Sequence, residues 1–239
     1  MNLALLSADD LSGENSARLT GRRRDHLANV LRAGEGDTLP VGLEGGPMGT
    51  GTITRLTGEA AELSLTLDQP APAPLPLTLI LAMPRPKMFR RVLQTVASLG
   101  IKDIWLINSY KVEKSFWQTP WLSEGALREN LTLGLEQAKD TGMPQMHLRK
   151  LFKPFVEDEL PELLAGSRAL VAHPGTAEPC PSHMAGPATL CVGPEGGFTD
   201  YEVGKLNEAG CASVHLGPRI LRVETAVPVL LSRLFDACV

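Results

Sequence analysis

The sequence predicts an α/β protein preceded by a small β-rich domain, and three observations point there. Residues 2–67 read mostly as strands, a proline-rich segment follows at 69–76, and beyond it apolar strands alternate with helical segments. Strands separated by helices are the pattern of a mainly parallel sheet covered on both faces. A chain of 239 residues is long enough to bury a substantial core, as one large domain or two modest ones.

In the N-terminal part, residues 2–6 form a short apolar run. Thr38–Leu43 and 49–56 flank a Glu44-Gly45-Gly46-Pro47 turn. Ala61, Leu63, Leu65 and Leu67 alternate with Glu62, Ser64, Thr66 and Asp68, the period-two signature of a half-buried strand. One helix interrupts them over 22–32, with Leu27, Val30 and Leu31 on its inner face, the arginines outward and Gly34 placed to end it. The result reads as a β-barrel over residues 1–70 carrying one basic helix. Gln69-Pro70-Ala71-Pro72-Ala73-Pro74-Leu75-Pro76 cannot continue a sheet and marks the boundary to a second domain over 75–239.

The second domain opens with 77–83, a continuous apolar run suited to a buried parallel strand. Phe89, Val92, Leu93 and Val96 follow at helical spacing, stopped by Gly100, and 101–108 is the next strand. Ser123 caps a helix lined by Leu127, Leu131 and Leu135. Further strands read at 147–152, 169–172, 189–192 and 213–216.

Composition narrows the function classes. No apolar run reaches the length of a membrane helix and the start shows no signal-peptide pattern, so a cytoplasmic protein is expected. Cys180, Cys191, Cys211 and Cys238 have no CxxC spacing and read as reduced thiols, most of them in apolar stretches. His26, His147, His173, His183 and His215 are scattered without metal-ligand spacing, so no metal is expected. A net charge of −4 argues against non-specific coating of nucleic acid. Two segments are nonetheless locally basic: Arg18, Arg22, Arg23, Arg24 and Arg32, then Arg85, Lys87, Arg90 and Arg91.

Chemistry concentrates in two glycine turns near the C-terminus, 192–198 (VGPEGGF) and 216–225 (LGPRILRVET). Each follows an apolar strand and precedes a helix, a junction where bare backbone can approach a polar ligand. Thr199 and Glu202 form a capping box opening the helix after the first turn. There is no GxxxxGK[ST] and no GxGxxG, which excludes the common phosphate and dinucleotide loops. In the second turn Arg219, Arg222 and Glu224 precede an apolar helix containing Val227, Leu230, Leu231 and Leu234. Pro228 requires that helix to begin near Glu224. Arg222 and Glu224 read equally as an ordinary surface pair or as groups that orient a ligand.

The strings LCVGPEGGFTDYEV and LGPRILRVETA resemble the cofactor motifs of the SPOUT methyltransferases, more narrowly of their RsmE-type members. His26 to Arg32 (HLANVLR) resembles that family's helix in a PUA-like N-terminal barrel, and Leu170 to Pro174 (LVAHP) its first cofactor-loop segment. The resemblance implies an S-adenosylmethionine-dependent enzyme that methylates N3 of a uridine in 16S ribosomal RNA of the small subunit. It implies a homodimer with a trefoil-knotted α/β domain. By motif match Gly193, Pro194, Glu195, Gly196 and Gly197 line the cofactor site, joined by Leu216, Gly217, Ile220, Leu221, Arg222, Glu224, Thr225 and Ala226, with His173 and Pro174. The chain departs from the family pattern at Ala97-Ser98-Leu99-Gly100 and at Glu136-Gln137-Ala138-Lys139-Asp140-Thr141. Both departures lie outside the cofactor motifs and bear on the RNA contacts.

Uracil N3 lies on the pairing edge and carries a proton, so the base must be unpaired and the site must remove the proton or stabilise the anion. Glu224 is the candidate base and Arg222 the candidate anion stabiliser. Arg22, Arg23, Arg24 and Arg32 are the candidate phosphate contacts. Another SPOUT reaction, on ribose 2′-O or a tRNA base, and a non-catalytic RNA-binding module remain the alternatives.

Overall fold

A computed structural model describes residues 1–236, so Cys238 lies outside the described residues. The chain divides into two compact units: residues 1–73 with 132–143, and residues 74–131 with 144 onward. The first division falls inside the proline-rich segment.

The first unit is a six-stranded sheet: β1 (Ala4–Leu6), β2 (Leu11–Gly13), β3 (Ser16–Thr20), β4 (Thr38–Leu43), β5 (Met48–Leu56) and β6 (Ala60–Gln69). Their order is β1-β4-β5-β6-β3-β2, with β1 parallel to β4 and every other neighbour antiparallel. The alternation in β6 is real: Leu63 and Leu65 are buried while Glu62, Ser64 and Thr66 are exposed. Leu6, Leu19, Leu27, Ile53 and Leu63 fill the core, and burying each such side chain contributes ~1.5–3 kcal/mol. The segment 132–143 is stitched to this unit by main-chain bonds, Leu3 N–H to Glu136 C=O at 3.0 Å and Gly45 N–H to Thr141 C=O at 2.8 Å.

The basic helix differs from its sequence reading. It is α1 (Gly21–Asp25) followed by a π-helical turn, His26–Val30. The wider turn rotates the residues after it, so that only Leu27 faces the core, while Val30 and Leu31 are 65% and 52% exposed. The chain reverses at Arg32, at φ 52°, rather than at Gly34. Nor do the arginines all point outward. Arg23 clamps Asp10 with both guanidinium nitrogens and also donates to Leu5 C=O at 2.6 Å. Arg24 donates twice to Thr57 C=O, at 2.8 and 2.6 Å. Arg22 pairs with the buried Glu136 at 2.8 Å yet stays about half exposed, and Arg32 is exposed.

Burial alone would raise the Asp10 carboxyl, but the Arg23 guanidinium and the Ser7 N–H and hydroxyl hold it below its ordinary value. A depressed folded pKa stabilises the fold above the unfolded pKa of about 3.9, and that contribution is lost as pH falls through the folded value. Asp10→Asn is therefore expected to lower stability by ~1–3 kcal/mol at neutral pH. In urea unfolding followed against pH, its deficit relative to the wild type should shrink below about pH 4.

The second unit holds β7 (Leu77–Ala82), β8 (Asp103–Ile107), β9 (Gln145–Arg149), β10 (Arg168–Ala172), β11 (Ala188–Val192) and β12 (Ala212–Val214). All neighbours are parallel, in the order β12-β10-β11-β7-β8-β9. Its helices are α2 (Pro86–Ser98), the first part of α3 (Glu124–Ala138), a short α4–π–α5 run (Phe152–Pro154, Phe155–Glu159, Leu160–Leu163), α6 (Asp200–Glu208) and α7 (Val223–Leu234). The strand read at 147–152 is shifted to 145–149, because Phe152 already opens α4. The α7 helix starts one residue before Glu224, with Arg222 as N-cap, so Pro228 lies just beyond the first turn. Its missing N–H leaves the Glu224 carbonyl without a helical partner.

Candidate functional site

The carboxyl ends of β10, β11 and β12 lie side by side and enclose a cavity of about 340 Å³. Ala172, Val192 and Val214, the last residues of these strands, form its base. Parallel sheets bind ligands at this end, because loops leaving adjacent strands converge there and expose their amides.

The first glycine turn forms one wall. Gly197 N–H donates to Pro194 C=O at 2.7 Å, closing a tight turn, with Gly197 itself at φ +68°. Gly193 has no room for a side chain: a Cβ there would stand 2.9 Å from the Phe198 nitrogen and 3.2 Å from the Gly197 carbonyl carbon. Two ties from outside hold the turn. The Arg85 N–H, at the start of α2, donates to Glu195 Oε1 at 3.0 Å, and Lys111 Nζ donates to Gly196 C=O at 2.7 Å.

The opposite wall is the segment after β12. Its backbone is set by His215, whose Nδ1 accepts from Gly217 N–H at 2.9 Å and is thereby the unprotonated ring nitrogen. His173 reaches in from the end of β10. Its Nδ1 is buried without a hydrogen-bond partner, although buried polar atoms are normally paired.

The sequence candidates divide cleanly. His173 and Pro174, the five residues 193–197, Leu216, Gly217, Ile220, Leu221 and Ala226 all line this cavity. Arg222, Glu224 and Thr225 do not. The reason is helical phase: Val223, Ala226 and Leu230 are the residues of α7 that reach the cavity, which turns positions 224 and 225 to other faces. Arg222, the N-cap, is exposed, and Glu224 Oε2 is buried without a partner. Lys111, Asp200, His215 and Val223 also line the cavity and were not among the candidates. Of these, Asp200 and Val223 lie inside the two motif strings and His215 immediately before the second, whereas Lys111 arrives from the loop after β8 with no local signal.

Cys180, Cys191 and Cys211 are buried free thiols. Cys191 and Cys211 stand 3.9 Å apart, and the hydrogen bond between them raises the Cys191 thiol and lowers that of Cys211. Among the described residues no cluster of His, Cys, Asp and Glu could hold a metal. No helix among them is long and apolar enough to cross a membrane.

Fold and cavity together define a parallel α/β protein with a backbone-lined cavity suited to a small polar ligand at the ends of its strands. The chain belongs to the RNA methyltransferase domain family, whose profile matches residues 71–235. It is 26% identical over 211 residues to ribosomal RNA small subunit methyltransferase E of Treponema pallidum, covering 84% of this chain and 77% of that protein. The corresponding Synechocystis protein is 27% identical over 249 residues, covering 98% of this chain and 77% of its own length. Among solved structures, a ribosomal RNA small subunit methyltransferase E from Neisseria gonorrhoeae bound to S-adenosyl methionine superposes with a TM-score of 0.75. That match has 24% identity and covers 97% of this chain and 95% of the other.

Proposed function

We propose that this chain methylates N3 of a uridine in 16S ribosomal RNA of the small ribosomal subunit, using S-adenosylmethionine. The observation that carries the proposal is the cavity at the ends of β10, β11 and β12, walled by both glycine turns in a chain of the RNA methyltransferase family. Its residues fit the cofactor. The Gly193 backbone allows an approach that any side chain would block, and the unpaired His173 Nδ1 offers a partner to a polar group. Val192, Val214 and Leu230 supply an apolar floor for an aromatic base. When bound, S-adenosylmethionine supplies an electrophilic methyl group on sulfur.

Within this proposal the chain's own groups handle the uracil proton and charge. Arg222, exposed between the lining residues Leu221 and Val223, is assigned to the developing uracil anion. Glu224 is assigned as base. Its Oε2 is buried without a hydrogen-bond partner, which leaves that oxygen able to accept a proton. Arg222→Ala and Glu224→Ala are each expected to lower kcat by ~10²–10⁴-fold at saturating cofactor with little change in cofactor affinity. Near-wild-type turnover would return both to a structural role at the start of α7.

The proposal extends to architecture. It assigns the loops leaving β10, β11 and β12, which meet at the cavity, to a trefoil knot, and the first unit to a PUA-like RNA-binding barrel. There the exposed Arg22 and Arg32 are the favoured phosphate contacts, since Arg23 and Arg24 are already committed within the unit. A homodimer is supported by apolar side chains left outside beside the cavity, Ile220 at 81% exposure and Val229 on α7. A cytoplasmic location follows from the substrate. Labelled methyl transfer onto small ribosomal subunits, followed by nucleoside mapping, tests the function. Label on N3-methyluridine supports it, label on ribose or tRNA overturns it, and absence of cofactor binding by calorimetry would favour a non-catalytic RNA-binding module.

A further inference from the structure

A second concavity, of about 540 Å³, opens beside the cofactor cavity. Asn108, Ser109 and Tyr110 border it on one side, Thr199, Tyr201 and Glu202 on the other, with Phe152 and Lys153 completing it. The chain contains two tyrosines, and both stand here with their rings in solvent, Tyr110 at 85% and Tyr201 at 57% exposure. Leu151 is exposed alongside.

The two walls are held by one buried carboxyl group. Glu202 Oε1 accepts from Tyr110 N–H at 2.7 Å, and Oε2 accepts from Thr199 N–H at 2.8 Å and from the Thr199 and Ser109 hydroxyls at 3.0 and 3.3 Å. The groove is therefore a built feature and not a gap between mobile loops. It also abuts the cofactor cavity residue by residue. Tyr110 borders the groove and Lys111 the cavity; Thr199 and Tyr201 border the groove, and Asp200 between them the cavity.

Charge favours an anionic occupant. Lys153 lines the groove and is exposed, the exposed Lys150 three residues before it holds its ammonium 6.0 Å from the Trp117 ring, and Lys111 on the cavity side is exposed while donating to Gly196 C=O. Lys153 has Glu157 as a neighbour at 3.8 Å, too long and too exposed to neutralise it. Exposed aromatic rings with exposed lysines nearby match the chemistry of a single-stranded nucleic acid, whose bases stack on rings while its phosphates meet the cations.

We propose that this groove binds the nucleotides flanking the target uridine, with bases stacked on Tyr110 and Tyr201 and phosphates against Lys150 and Lys153. The inference rests on the RNA methyltransferase reading and adds a subsite to it. Holding a neighbour in the groove keeps the strand unstacked where the reactive base must enter the adjoining cavity.

The test is the affinity of a fluorescein-labelled single-stranded RNA, one uridine among adenines, measured by anisotropy beside methyl transfer onto small subunits. Tyr110→Ala and Tyr201→Ala should each weaken RNA binding about tenfold, Tyr→Phe at either position should restore it, and cofactor affinity by calorimetry should stay unchanged. Lys150→Ala with Lys153→Ala should flatten the salt dependence. If the wild type methylates uridine while the alanine variants bind RNA normally, the groove proposal is wrong and the functional reading stands. Loss of RNA binding in these variants without any methyl transfer by the wild type would sink the functional reading and keep the groove. A wild type that neither binds this RNA nor methylates removes both.

Discussion

Gly193→Ala is expected to weaken S-adenosylmethionine binding by ~10–100-fold while leaving the protein folded. The new methyl group would meet the Phe198 backbone nitrogen at 2.9 Å and the Gly197 carbonyl carbon at 3.2 Å, and neither is the movable end of a flexible side chain. The turn must open to accept it, which costs ~1–3 kcal/mol. That cost falls on the wall of the cavity, so it appears first in ligand affinity. Gly186 provides the control. It precedes the same strand, β11, at the opposite end, and a Cβ there meets nothing within 4 Å. Calorimetric titration of both variants should find Gly186→Ala close to wild type, and equal losses in the two would show that the Gly193 clash is not what matters.

The reading of Gly193 from sequence and the failure to read Lys111 have a common physical origin. A strand, a glycine turn and a capped helix are written in residues close along the chain, so 189–208 was legible down to the pairing of Thr199 with Glu202. Lys111 enters the same cavity from 85 residues away, and nothing in its neighbours announces that it will bond to Gly196. The same limit hid the place of 132–143. Its helical periodicity runs on from 124 without a break, yet these residues pack with the first unit. Val30 and Leu31 failed differently. Their spacing fits an α-helical inner face, but a π turn beginning at His26 shifts the phase by one residue and leaves both outside. Arg222, Glu224 and Thr225 mark the finest limit, since motif matching identifies a stretch of chain but not which side of α7 each residue occupies.

Glu202→Ala should cost more stability than any other single change at the site, about 3–5 kcal/mol in urea unfolding. The carboxyl group is buried and has four donors aimed at it, two from main-chain N–H groups and two from hydroxyls. Alanine would leave those groups enclosed without a partner, and each unsatisfied donor carries its own desolvation cost of ~1–3 kcal/mol unless water enters. It would also remove one of the two acidic residues, with Asp200, that complement the α6 dipole at its N-terminus. Glu202→Gln separates these contributions. Its carbonyl oxygen can serve Tyr110 or Thr199 but not both, and its amide must then face a donor, so an intermediate loss of about 2 kcal/mol is expected. If glutamine matched the wild type, the second oxygen would contribute nothing and the two walls would be independent. If alanine proved nearly neutral, water would have replaced the carboxyl group, and the joint between the loop after β8 and the N-terminus of α6 would be looser than its hydrogen bonds indicate.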